Sequence, residues 1–302
     1  MMVRNLQTGR MPRMRDVLRV AVLIVAVCVF SGCIQDNMSI NVKPDGSGTI
    51  EETVLVGNGF LEMMQGMSRN MSEEGRDSPA AGDVKKDQTK DQTIVTEMME
   101  KAKNNAKDFG EGVRFVSAKP AKTQTASGYT AVYSFDDING VRLDQNPGKK
   151  TPSKDRDKGD DSKDTSENDM IKFVFTRGSP AKLAVHMPPP RPAARDEEKT
   201  KDKQPTADDP NAIEMMKTIF KEMRVSIVLT MEGDIVKSNA TYRSGRAVTL
   251  IDMDFGKLIS DPELLKKINK EQPQSVEEMK KMVKGIEGLK MEFTNPVIID
   301  FK

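Results

Sequence analysis

Apolar residues recur at every second position through much of this chain, and that period restricts its fold more than any other feature. Met38, Ile40 and Val42 alternate, then Ile50, Val54 and Val56. Val113 and Phe115 lead to Tyr129, Ala131, Tyr133 and Phe135, and Ile171, Phe173 and Phe175 precede Leu183, Val185 and Met187. Val225, Ile227, Leu229 and Met231 come later. Successive side chains of a strand point to opposite faces, so each run makes a strand with one apolar face. Turn residues separate the runs: Lys43-Pro44-Asp45-Gly46-Ser47, Arg177-Gly178-Ser179-Pro180 and Glu232-Gly233-Asp234. Proline presets its own φ, aspartate bonds the backbone, and glycine takes positive φ. The spacing predicts a meander of 225–231, 235–242 and 247–255. The apolar phase slips between Leu250 and Ile251, which predicts a bulge.

Helix signals are fewer. Asp209-Pro210 and Asp261-Pro262 each read as a cap followed by proline in the first turn. Ile213, Met216, Phe220 and Met223 form one stripe behind the first, and Leu264, Leu265 and Ile268 stand behind the second. Ser275 with Glu278 reads as a capping box. A further helix is predicted over 93–109, ended by Gly110, and a shorter one after Asn58. Hairpins with several helices packed on them predict an α+β domain with a mostly antiparallel sheet.

Three mixed-charge segments interrupt it, near 68–92, 144–168 and 188–210. They hold too little apolar surface to offset chain entropy, so disordered loops are expected there. The rest predicts one domain over 38–302 with these insertions.

The first residues predict an address. Arg4, Arg10, Arg13, Arg15 and Arg19 precede an apolar run over 20–30, followed by Ser31, Gly32 and Cys33. The run is shorter than the ~20 residues a spanning helix needs. Small residues and a cysteine after such a run resemble the bacterial lipobox. Residues 1–32 then read as a signal peptide cleaved between Gly32 and Cys33, with Cys33 acylated by palmitate-class chains and 33–37 as its tether. A membrane anchor that merely contains a cysteine is the alternative. Five arginines and Asp16 would leave with the signal, which takes the net charge from +1 to about −3. Cys28 leaves too, so the mature chain could form no internal disulfide. No later run is long enough to span, so a body in water held at one end is expected. Each buried CH₂ of a lipid contributes about 0.8 kcal/mol, so two or three chains anchor stably.

Candidate chemistry is sparse. The Asp-Gly-Ser-Gly run resembles the middle of an EF-hand, but the register puts Lys43 and Val54 at ligand positions, and Ca²⁺ needs six to eight oxygens. Asp254-Phe255-Gly256 matches a kinase metal motif without its companion loops. The single histidine, His186, reads as structural or solvent-facing. Asp136/Asp137 and Asp252/Asp254 are the adjacent carboxylates that could do acid–base work. No catalytic, metal-ligating or cofactor-binding set is assigned. The near-neutral charge, absence of tryptophan and three tyrosines argue against a nucleic-acid surface. Twenty-one methionines, some in clusters such as Met63, Met64 and Met67, fit core positions or a pliable apolar groove.

Taken together, three stretches resemble the LppM-like lipoprotein domain family. They are Asp45-Gly46-Ser47-Gly48-Thr49-Ile50-Glu51-Glu52, then Gly128-Tyr129-Thr130-Ala131-Val132-Tyr133-Ser134-Phe135-Asp136-Asp137-Ile138, then Gly233-Asp234-Ile235-Val236-Lys237-Ser238-Asn239-Ala240 with Gly245 and Val248-Thr249-Leu250. The resemblance implies an α+β envelope domain and assigns no catalytic residue.

The expectation is a bacterial envelope lipoprotein, held to a membrane by its lipid and binding an envelope protein or component without catalysis. A carrier of a lipid-like ligand is the alternative, and a hydrolase using paired carboxylates a lesser one. Ile34, not aspartate, follows Cys33, which tilts the expectation toward the outer membrane in a two-membrane cell.

Overall fold

The computed structural model describes residues 34–58, 61, 87–144, 170–188, 222–261 and 275–302. The alternating runs become strands in two sheets. The larger is built from β1 (Ile34–Val42), β2 (Gly48–Gly57), β3 (Arg114–Lys122), β4 (Ala126–Phe135), β8 (Arg224–Met231), β10 (Arg243–Ser244), β11 (Ala247–Asp254) and β12 (Leu289–Met291). Its order is β10-β11-β8-β1-β2-β4-β3, with β12 on β11. The smaller holds β5 (Arg142–Asp144), β6 (Met170–Thr176), β7 (Ala181–His186), β9 (Ile235–Ser238) and β13 (Val297–Phe301), ordered β5-β6-β7-β13-β9. Neighbours are antiparallel except β1 and β8, which run parallel with Met38 opposite Ile227.

The expected α+β class is overturned: this is a mainly β fold of two sheets. Among the described residues three α-helices are complete, α1 (Asp87–Asn104), α2 (Phe255–Ser260) and α3 (Val276–Val283), and Asn58 and Leu61 are helical where a short helix is expected, its other residues lying outside the described ones. The helix expected behind Asp209-Pro210 lies outside the described residues, as does nearly all of the one behind Asp261-Pro262. The predicted 93–109 helix starts earlier. Its backbone is helical from Asp87, inside a segment read as disordered, and it tightens into a 3-10 turn over Asn105–Phe109. Nothing between Asp87 and Ile94 breaks a helix, so the turns seeded by Ile94, Val95 and Met98 propagate outward. The rest of that segment, 68–86, lies outside the described residues, as do 145–168 and 189–210. Gly110 ends the helical stretch at φ 111°, as its position predicts.

The first hairpin forms as predicted, with Val42 opposite Gly48. The bulge near Leu250 is present as a register shift between Thr249 and Ile251. The predicted meander is not. After Glu232-Gly233-Asp234 the chain leaves the larger sheet, and β9 pairs with β13 in the smaller one. Asp234 and Lys302 exchange two backbone hydrogen bonds at that crossing, 2.7 and 3.1 Å. A tight turn after a strand reads locally as a hairpin, and only the distant β13 reveals the switch.

Both sheets face one core. Ile40, Val42, Ile50, Tyr133, Leu229 and Met231 of the larger sheet join Ile171, Leu183, Val185, Ile299 and Phe301 of the smaller in a single buried cluster. Each large aliphatic side chain removed from water there contributes about 1.5–3 kcal/mol. Met98 and Ala102 of α1 belong to the same cluster.

Candidate functional site

The inner face of the larger sheet is apolar except at one place. Glu52 stands on β2 opposite Met38 of β1 and Ala131 of β4, and is 2% exposed. It shares the inward parity of Ile50 and Val54. Tyr129 and Tyr133 flank it from β4, and their hydroxyls reach the same oxygen, Glu52 Oε2, at 3.3 and 3.4 Å. The Tyr133 hydroxyl also donates to the Ala102 carbonyl of α1 at 3.0 Å. A phenol has one proton, so Tyr133 serves one acceptor at a time, and the shorter contact is the one to the helix. Asp36, on β1, is buried at the same end.

Burial holds both phenols well above the ordinary tyrosine range, and the negative charges of Glu52 and Asp36 raise them further. Both hydroxyls therefore remain protonated donors at any physiological pH. The ring of Tyr133 also packs on Phe109 at 4.7 Å between centroids and against Phe115 edge-on at 5.9 Å. The Tyr133–Ala102 bond ties α1 to the sheet, while Glu52 joins the two phenols of β4 to β2.

A further carboxylate is buried between β12 and β13, away from Glu52 and Asp36 in sequence. Glu292, also 2% exposed, accepts from the Thr241 hydroxyl at 2.8 Å, from the backbone of Phe293 and Thr294 at 3.0 and 2.9 Å, and from the Thr241 amide. Burial pushes this carboxyl up, but the bonds from Thr294 and Thr241 outweigh it and hold it below the usual range. Sequence reasoning singled out none of Asp36, Glu52 and Glu292. Parity could have found Glu52, since it falls between Ile50 and Val54 in one alternating run. Glu292 follows no such run.

The residues that sequence did nominate are spread out and occupied. Asp136 pairs with the Arg114 guanidinium through two bonds of 2.7 and 2.8 Å. Asp137 caps the 3-10 turn Ile138–Gly140 by accepting from Asn139 N at 2.9 Å. Asp252 takes Arg224 at 3.0 Å, and Asp254 caps α2 through Lys257 N at 3.1 Å. Asp254-Phe255-Gly256 is thus a strand end running into a helix. His186 is exposed on β7. In the opening turn Asp45 Oδ1 accepts from Ser47 N and Oγ at 2.9 and 2.7 Å, and Gly46 has φ 88°. Its backbone is that of a hairpin turn. Met98 is a core residue, while Met63, Met64 and Met67 lie outside the described residues, as do Gly32 and Cys33. Among the described residues no three metal-ligating side chains converge, and no helix is long and apolar enough to cross a membrane. An open groove of about 750 Å³ lies beside α2 and α3, with Lys257 and Glu287 paired at 2.9 Å on its wall.

No family model matches the chain, and no curated protein matches it. Among solved structures, the folded domain of the Mycobacterium tuberculosis LppM protein is similar, at a TM-score of 0.26 and 10% identity, over 74% of this chain and 84% of that one. That is a weak likeness of fold, and it bears on neither function nor individual residues.

Proposed function

We propose that this protein is a lipid-anchored bacterial envelope lipoprotein whose β body acts by binding, without catalysis. The observation that carries the reading is the continuity of anchor and fold. Residues 20–33 have the order of a lipoprotein signal, and β1 begins at Ile34, the next residue. Residues 34–37, read from sequence as tether, belong to the first strand. A lipid on Cys33 would thus sit next to the first residue of a central strand, paired on both sides by β8 and β2. The non-catalytic part rests on how the acids are used. The nominated carboxylates serve as caps and ion pairs, while the buried Glu52 takes two phenols and the buried Glu292 takes backbone amides and the Thr241 hydroxyl.

The test is metabolic labelling with a palmitate analogue in a bacterial host. The full chain is expected to take up label and to sediment with membranes, and Cys33→Ser is expected to lose both. Undiminished label on the Ser variant would refute the anchor.

A further inference from the structure

A lipid on Cys33 also decides which end of the body meets the membrane, so the orientation rests on the lipid-anchored reading. Ile34 pairs with Val56, Val56 with Ser127, and Ser127 with Lys122. These four residues form one row across β1, β2, β4 and β3. Lys122 is therefore level with the point where the chain enters the sheet, three strand spacings or about 14 Å to the side. The β3–β4 turn, Thr123 to Thr125, projects past that level.

The turn is held rigidly. Asn58 N donates to the Thr125 carbonyl at 2.8 Å, and the Ser127 hydroxyl donates to Asn58 Oδ1 at 3.1 Å. The Thr123 hydroxyl oxygen accepts from Ala126 N at 3.0 Å. From Arg114 to Phe135 the hairpin contains no acidic residue. Lys119 and Lys122 are exposed, and neither joins an ion pair among the described residues. On the other flank of β1, Arg224 stands level with Gln35 but is committed to Asp252 at 2.9 Å. The opposite end of the sheet, about 27 Å away along β1, carries Asp45, Asp136, Asp137, Glu232 and Asp234, of which Asp136 is paired with Arg114 and Asp234 with Arg246.

We infer that the tip of the β3–β4 hairpin, Lys122 to Thr125 with Lys119 beside it, is the membrane-facing surface and meets lipid phosphate groups. Ile34, the residue after Cys33, is level with this tip, and the uncommitted lysines suit an anionic headgroup layer. Lysines on an edge strand also deter strand pairing, which needs no membrane, so depth is the property to measure.

The acylated full chain is reconstituted in vesicles of zwitterionic and anionic lipid carrying a headgroup spin label. With Cys28 removed and Cys33 acylated, an introduced cysteine is the single free thiol. A fluorophore at Thr125→Cys is expected to be quenched several-fold more than one at Lys43→Cys. Equal quenching, or stronger quenching at position 43, overturns the orientation. Adding Lys119→Glu and Lys122→Glu is expected to cut quenching at position 125 by about half, and an unchanged value overturns the headgroup contact. Wild-type chain that fails to sediment with the vesicles overturns the anchor and the orientation together. Sedimentation with equal quenching overturns the orientation alone.

Discussion

Gly46 concentrates two constraints in one residue. Its φ of 88° is a conformation that L side chains rarely adopt, and a Cβ there would lie 2.6 Å from two carbons of the Phe175 ring. The turn is also fastened to two others, since Ile138 N of the 3-10 turn after β4 donates to the Gly46 carbonyl and Arg177 Nε, between β6 and β7, to that of Asp45. Gly46→Ala is expected to lower stability by about 2–4 kcal/mol in urea unfolding, from backbone strain plus overpacking. In a Phe175→Ala background the same change should cost only its backbone part, about 1–2 kcal/mol. The turn was legible from Pro44, Asp45 and Gly46. Its packing on Phe175 was not, because no local pattern points to a ring so far along the chain. Glu292 makes a comparable case with a pH signature. Its hydrogen bonds hold the folded carboxyl below the ordinary glutamate value of 4.5. The stabilisation is therefore complete above that value and is lost as pH falls through the folded pKa. Glu292→Gln turns one accepting oxygen into a donor facing donors, so it should cost about 1–3 kcal/mol at neutral pH. Its stability curve should also lack the wild-type loss below about pH 4.5, read from urea midpoints between pH 3 and 7. A wild-type slope retained in the variant would assign that loss to other carboxylates.

At the scale of elements, the connection between α1 and the sheet is the most testable. Val95, Met98 and Ala102 bury against β3 and β4, and Tyr133 bonds the Ala102 carbonyl from below. Tyr133→Phe keeps the ring contacts with Phe109 and Phe115 but leaves that buried carbonyl without the hydroxyl. A loss of about 1–3 kcal/mol is expected, with hydrogen-exchange protection falling in α1 before β1 and β2. Uniform loss across the sheet would mean that the helix does not open separately. Strands were the legible elements, because period-two alternation survives in Met38–Val42 and Tyr129–Phe135 whatever their partners. Caps such as Asp209-Pro210 mark a helical start without stating whether a packed domain follows, and that one lies outside the described residues, whereas Ser275 does cap α3 by accepting from Glu278 N at 3.2 Å. The buried polar group escaped notice for a related reason. Glu52 looks like one more acid after a turn until its parity is counted.

The whole molecule depends on a crossing that no local pattern announced. The chain passes from β8 into β9 through Gly233, and a Cβ on Gly233 would lie 2.6 Å from the Lys302 carbonyl oxygen and 2.8 Å from its carbon. Those atoms belong to the backbone beyond β13, so relief requires moving the strand that joins β9 to β7. The two sheets share one core, in which Ile50 and Leu229 of one are clustered with Ile299 and Phe301 of the other. A disturbance of β13 should therefore reach the larger sheet, although no β13 residue hydrogen-bonds a larger-sheet strand in the ladder. Tyr129 and Tyr133 of β4, with Tyr242 bonded through its carbonyl to Thr249 of β11, report the larger sheet by intrinsic fluorescence, since the chain has no tryptophan. Amide exchange of Leu183, Val185 and Ile299 reports the smaller. Gly233→Val is expected to lower stability by about 1–3 kcal/mol, with both probes giving the same urea midpoint because a common core makes unfolding cooperative. If the amides of the smaller sheet are released at lower urea while tyrosine fluorescence keeps its wild-type midpoint, the sheets are separate folding units. The crossing would then be a linkage between them and not part of one core.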